Sequence, residues 1–163
     1  MALSTEGISH QIVSSLITYR KDKLGTVNDC KVELNHLIRK FSEPLAKEGL
    51  QQFYRSKNIT ENSSVIKEHL LPVNEIMNHL LSLNLDISKT DLAKEISQYL
   101  TKSLVIVFIT EAEDQALNAH GYQRNMPQEY FDTNHSLHSD SWARYKSAGI
   151  YSNIVRSEFT GFP

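Results

Sequence analysis

Apolar residues recur at helical spacing along most of the chain. Ile8, Ile12, Leu16 and Tyr19 fall at i, i+4, i+8 and i+11, with Val13 and Ile17 widening the stripe, so residues 5–23 are expected to form an amphipathic helix. Ser4 is placed to cap it, Arg20, Lys21 and Lys23 suit the negative end of its dipole, and Gly25 ends it. A second helix is expected from residue 28 or 29 to 41, burying Val32, Leu34, Leu37, Ile38 and Phe41. Ser42-Glu43-Pro44 reads as a restart, because serine caps helices and proline is tolerated in a first turn. That third helix would reach Arg55, with Leu45, Leu50, Phe53 and Tyr54 inward and Gly49 weakening it.

Residues 57–64 are polar and read as a loop. A helical stretch over 65–83 follows, bent or split by Pro72, with Ile76, Met77, Leu80, Leu81 and Leu83 on its apolar face. Ser88 or Thr90 caps the next helix, where Asp91 sits in the first turn and Leu92, Ile96, Tyr99 and Leu100 set the period.

The run 103–110 is continuous, apolar and β-branched, which suits a buried strand, and Thr110-Glu111-Ala112-Glu113 after it is a capping box. Two arguments oppose a strand. No Gly or Pro separates the run from the preceding helix, and a lone strand leaves its backbone groups unpaired. The only other β-like stretch is 149–156, through Ile150, Tyr151, Ile154 and Val155. The pattern is therefore read as a buried helix continuing through the run.

Gly121 closes a helix over 111–120, residues 125–131 suggest a short turn near Pro127, and 132–139 are polar loop. Ser139, Asp140 or Ser141 caps a helix carrying Trp142, Ala143, Tyr145 and Ala148, which Gly149 stops. Residues 157–163 form a tail that packs Phe159 and Phe162 or frays. The expected fold is mainly α: a compact bundle of six or seven helices in a single globular domain, 1–163. One short buried strand at 103–110, giving an α+β fold, is the alternative.

Composition narrows the function classes. With 163 residues, 40% hydrophobic and 22% charged, the chain can bury a core without disulfides or metals. The net charge of −2 argues against a protein that coats nucleic acid through charge alone. Charge is nonetheless uneven. Residues 19–57 carry nine basic and five acidic side chains, and residues 58–119 carry four basic and nine acidic. Such blocks permit head-to-tail self-association, or are simply solvated helix faces. Cys30 is the single cysteine, which excludes an intrachain disulfide and a Cys-based zinc cluster. No apolar run approaches the roughly 18–20 residues of a membrane span, and no secretory signal pattern opens the sequence, so a soluble cytoplasmic protein is expected.

Phosphate loops and a nucleophile elbow are missing from the sequence. His135, His138 and Asp140 have the spacing most like a metal site, and could converge on Zn²⁺ in a metal-dependent hydrolase or nuclease. Against this, a zinc site needs a further ligand that nothing fixes there, and two exposed histidines can share a loop with an N-cap aspartate.

The C-terminal third interleaves Arg124, Arg144, Lys146 and Arg156 with Tyr122, Tyr130, Trp142, Tyr145 and Tyr151. Trp, Tyr and Arg are enriched at interface hot spots, which points to a protein-binding surface of Arg124, Tyr130, Trp142, Arg144 and Tyr145. Trp142 and Tyr145, three residues apart on one helix, would be the anchors and Arg144 the rim. The competing account has Trp142 locking its helix to the core. The expected function is a small non-catalytic regulator, inhibitor or adaptor acting on a protein partner or on itself, with no cofactor beyond a divalent metal such as zinc. A nucleic-acid-binding regulator using the same basic and aromatic residues is the alternative.

Overall fold

The computed structural model describes residues 3–158, and the expectation for Phe159 and Phe162 lies outside them. The chain forms two compact units. One comprises the residues up to Gln51 with Ile76–Ser103, the other Gln52–Glu75 with the residues from Leu104 onward.

The first unit is helical. Ser4 accepts the Gly7 N–H at 3.0 Å and opens α1 (Thr5–Arg20), as its capping position predicts. Thr26 and Asp29 form a reciprocal capping box at the start of α2 (Val27–Lys47). This helix runs straight through Pro44, where a break and restart is expected. Proline removes one internal hydrogen bond and costs about 3 kcal/mol in a helix interior. Phe41, Pro44 and Leu45 are buried on the face that also carries Leu34, Leu37 and Ile38. Burying side chains the size of Phe and Leu returns about 1.5–3 kcal/mol each, so continuation wins.

The helix then stops at Lys47 rather than reaching Arg55. Gly49 takes a left-handed φ of 70°, and the Leu50 N–H donates to the Leu45 carbonyl at 3.0 Å. Gly49 is thus the stop signal of α2, not a weak interior position. α3 (Val73–Ser82) begins just after Pro72, and its residues from Ile76 onward belong to this unit. Ser88 caps α4 (Lys89–Ser103), exchanging hydrogen bonds with Asp91. α1 packs on α2 and α4, where Ile8, Ile12, Leu16, Leu34, Ile38, Phe41, Ile96 and Leu100 are fully buried.

The second unit corrects the mainly-α expectation, because it is built on a four-stranded mixed sheet that makes the fold α+β. β1 (Phe53–Ser56) and β2 (Val65–His69) fall where helices are expected, and β3 (Ile106–Thr110) replaces the helix read through 103–110. β4 (Ile154–Ser157) completes the sheet, so Ser157 is strand rather than tail. The order is β2-β3-β1-β4. β3 runs parallel to β1 (Tyr54 opposite Val107) and antiparallel to β2 (Lys67 opposite Phe108), while β4 runs antiparallel to β1 (Tyr54 opposite Arg156).

Side chains alternate between the two faces. One face packs Tyr54, Ile66, Val107, Ile109 and Ile154 against Leu117 and Tyr145. The other groups Phe53, Val65, Ile106 and Phe108 with Ile59. β3 is buried on both faces, which is why it reads as an unbroken apolar run. Thr110 ends it and caps α5 (Glu111–Ala119) with the expected box to Glu113. A short 3-10 turn (Gln128–Tyr130) follows Pro127, and α6 (Ala143–Ser147) leads to a second such turn (Tyr151–Asn153) before β4. Among the described residues no helix is long and apolar enough to cross a membrane.

Candidate partner-binding surface

Asp140 sets the position of Trp142. One carboxylate oxygen accepts the Trp142 N–H at 2.9 Å and the other accepts from Lys146 Nζ at 2.6 Å, which raises the Lys146 pKa. So fixed, the half-buried Trp142 ring meets Tyr54 at 4.9 Å, Tyr145 at 5.5 Å and Tyr151 at 5.5 Å between centroids, the first two edge-on. Lys146 Nζ lies 4.9 Å from the centroid of Tyr151. Tyr151 itself is 43% exposed. The result is a ring ledge with a buried end at Tyr145 and an open end at Tyr151.

β4 adjoins this ledge. Its inner side pairs with β1, placing Arg156 across from Tyr54, and among the described residues no strand pairs with its outer side. Val155, on the opposite face from Arg156, is 45% exposed. Edge strands are the part of a sheet to which an extended segment can add through the main chain.

The five residues expected to form a contact surface separate into two groups. Arg124 is exposed, while Tyr130 and Trp142 are half-buried. Burial raises the Tyr130 phenol above its usual range, with Glu75 adding to it. Its neighbour Phe131 turns outward instead. Arg144 and Tyr145 lie in the interior, so Arg144 is no rim residue.

Arg144 is 1% exposed and ties four groups together. Nε donates to the Leu70 carbonyl and Nη1 to the Tyr122 carbonyl, each at 3.0 Å. Nη2 donates to Glu68 Oε2 at 3.0 Å and to the His69 carbonyl. Burial raises the Glu68 carboxyl above its ordinary range, and Arg144 only partly offsets this. The Tyr145 hydroxyl has no hydrogen-bond partner among the described residues, and burial drives its pKa far upward. These are scaffold groups: they hold the end of β2 and the segment after α5 under the ledge.

The sequence gives no direct sign of a second buried knot. Glu113 is visible there as a capping residue, but Oε1 also accepts from Ser56 Oγ at 2.7 Å and from the Asn58 and Asn153 amides, each at 3.1 Å. Oε2 accepts from Thr110 N at 2.9 Å and Thr110 Oγ1 at 3.0 Å. Burial alone would raise this carboxyl, yet the hydrogen bonds from Thr110, Ser56 and Asn153 together hold it below the usual range. A carboxylate accepting five hydrogen bonds has no lone pair left for a substrate. It locks the ends of the parallel strands β1 and β3 to the start of β4.

His135, His138 and Asp140 are not brought together as ligands. His138 Nδ1 faces the Tyr130 carbonyl at 3.2 Å and Nε2 faces Ser139 Oγ at 3.3 Å. His135 Nδ1 accepts the Leu137 N–H at 3.1 Å, and both Asp140 oxygens are engaged with α6. Among the described residues no group of three or more His, Cys, Asp and Glu side chains is arranged to hold a metal ion. Cys30 is buried, and burial followed by nearby Glu33 raises its thiol pKa, the opposite of an activated nucleophile.

No protein-family model, curated protein or solved structure matches this chain.

Proposed function

We propose that the chain is a small non-catalytic binding protein, a regulator, inhibitor or adaptor, that receives a protein partner along the Trp142–Tyr151 ledge and the outer edge of β4. The observation that carries this reading is the adjacency of the two features. Edge strands pair with extended segments through the main chain, and neighbouring aromatic faces give alternate side chains of that segment somewhere to pack. Tyr151 and Val155 supply exposed apolar area, and Arg124 and Arg156 supply exposed charge in the same unit. A cytoplasmic location belongs to the same reading, in keeping with one buried free thiol.

A nucleic-acid partner has less support. Of Arg124, Arg144, Lys146 and Arg156, the second is buried and the third is paired with Asp140 at 2.6 Å. Phosphate contacts need exposed cations.

The test is affinity capture from native lysate with and without nuclease, run beside a Tyr151→Ser/Val155→Asp double variant whose folding is checked by circular dichroism. Wild type should retain one protein in near-equal amount under both conditions, and the variant should lose it. Recovery that vanishes with nuclease, or that survives in the folded variant, overturns the reading.

A further inference from the structure

The helical unit carries a groove that is separate from the ledge. Where α1 ends, the chain reverses through residues 21–26 and borders a groove of about 640 Å³, closed on its other side by the α3–α4 connector. That volume lies within the roughly 300–1,000 Å³ of small-ligand sites. Three cations line it, Arg20, Lys21 and Lys23, against one carboxylate, Asp86, while the half-buried Tyr19 ring and the buried Leu85 also face it.

The cations differ in availability. Arg20 is committed to the Leu83 carbonyl. Lys21 pairs with Asp86 at 3.2 Å, but the side chains are 46% and 85% exposed, so the pair is worth little and exchanges readily. Lys23 has no ion-pair partner among the described residues. It is held at φ 59°, a left-handed conformation that a lysine adopts at a cost of about 1–2 kcal/mol. The turn thus spends conformational energy to set a free ammonium at the mouth of an electropositive, partly apolar groove.

We propose that this groove binds a small phosphorylated molecule with a flat apolar portion, of the nucleoside diphosphate class. The phosphates sit between Lys21 and Lys23, displacing Asp86, and the flat group lies against Tyr19 and Leu85. The excess of cations favours an anion, and the Tyr19–Leu85 floor distinguishes this ligand from inorganic phosphate.

Calorimetric titration of the full chain with adenosine diphosphate, inorganic pyrophosphate and adenosine tests it. The diphosphate should bind saturably and more tightly than either fragment. The Lys21→Glu/Lys23→Glu double variant, which removes both charge-assisted contacts, should lose at least about tenfold, the worth of one of them. Asp86→Asn should bind more tightly than wild type, a gain that misfolding cannot produce. Absence of saturable binding at millimolar diphosphate, equal binding by the lysine variant, or weaker binding by Asp86→Asn overturns the proposal. So does a glutamate-rich peptide that binds more tightly than the diphosphate with the same lysine dependence, because the groove would then be a peptide site.

Discussion

The helical unit and the sheet unit are stabilised in different ways. In the first, α1, α2 and α4 meet through aliphatic side chains and Phe41, and its Thr26–Asp29 capping box and its Lys21–Asp86 pair are exposed. In the second, a sheet with apolar packing on both faces is also pinned by two buried polar centres, Arg144 and Glu113. Strand ends leave main-chain carbonyls that no ladder satisfies, and burying them requires donors. Arg144 supplies those donors at the end of β2, whereas helices satisfy their own interiors. The sheet unit should therefore be the more sensitive to polar substitution and to pH.

The largest effects test that contrast directly. Phe41→Ala in the helical unit and Arg144→Ala in the sheet unit should each lose about 3–5 kcal/mol in urea unfolding, one through a cavity and the other through stranded carbonyls and an unpaired Glu68. An Arg144→Ala loss below about 0.5 kcal/mol, the range of a surface change, would break the comparison.

Next is Glu113→Gln, expected to lose about 1–3 kcal/mol through a mismatched acceptor in a buried network. Its pH dependence has a fixed sign. The folded carboxyl titrates below the ordinary glutamate value of 4.5. Its stabilisation is therefore present above that value and lost as pH falls through the folded one. The raised Glu68 carboxyl contributes with the opposite sign, so the Glu113 part is read as the difference between wild type and Glu113→Gln, which should shrink as pH falls below 4.5.

Ser88→Ala at the start of α4 should cost about 1 kcal/mol by thermal unfolding, as a lost helix cap. Smallest of all, Tyr145→Phe should leave stability unchanged or raise it by about 0.5 kcal/mol, because the buried hydroxyl it removes has no hydrogen-bond partner among the described residues.

The same contrast explains what was legible in the sequence. Helical periodicity is local, so α1, the start of α4 and the caps at Ser4 and Thr110 follow from residue order, which also narrows the α4 cap to Ser88 or Thr90, whereas the end of α4 does not. Strand pairing is not local. The objection to a strand at 103–110 was an unpaired ladder, and its partners β1 and β2 were hidden in segments whose apolar residues also fit a helix. Phe53 and Tyr54 extend the stripe of α2, and Val65 and Ile66 precede a real helix with only Pro72 marking the change. Gly49 carried the missing signal, as a left-handed stop before β1.

The proposed contact surface is only partly legible in the sequence, for a similar reason. Trp142 and Tyr130 stand out by residue type, but only the register of α6 shows that Arg144 and Tyr145 point inward while Tyr151, beyond Gly149, stays open. Glu113 could be read as a cap, and its contacts to Ser56 and Asn153 required the sheet.

The most direct test of the binding reading is site-specific photo-crosslinking in the native cell from a benzoylphenylalanine placed at Tyr151, with the same residue at Lys89 in the helical unit as control. A single protein adduct formed from position 151, unchanged by nuclease and missing from position 89, is the result predicted. An adduct to nucleic acid, or equal protein adducts from both positions, would contradict it.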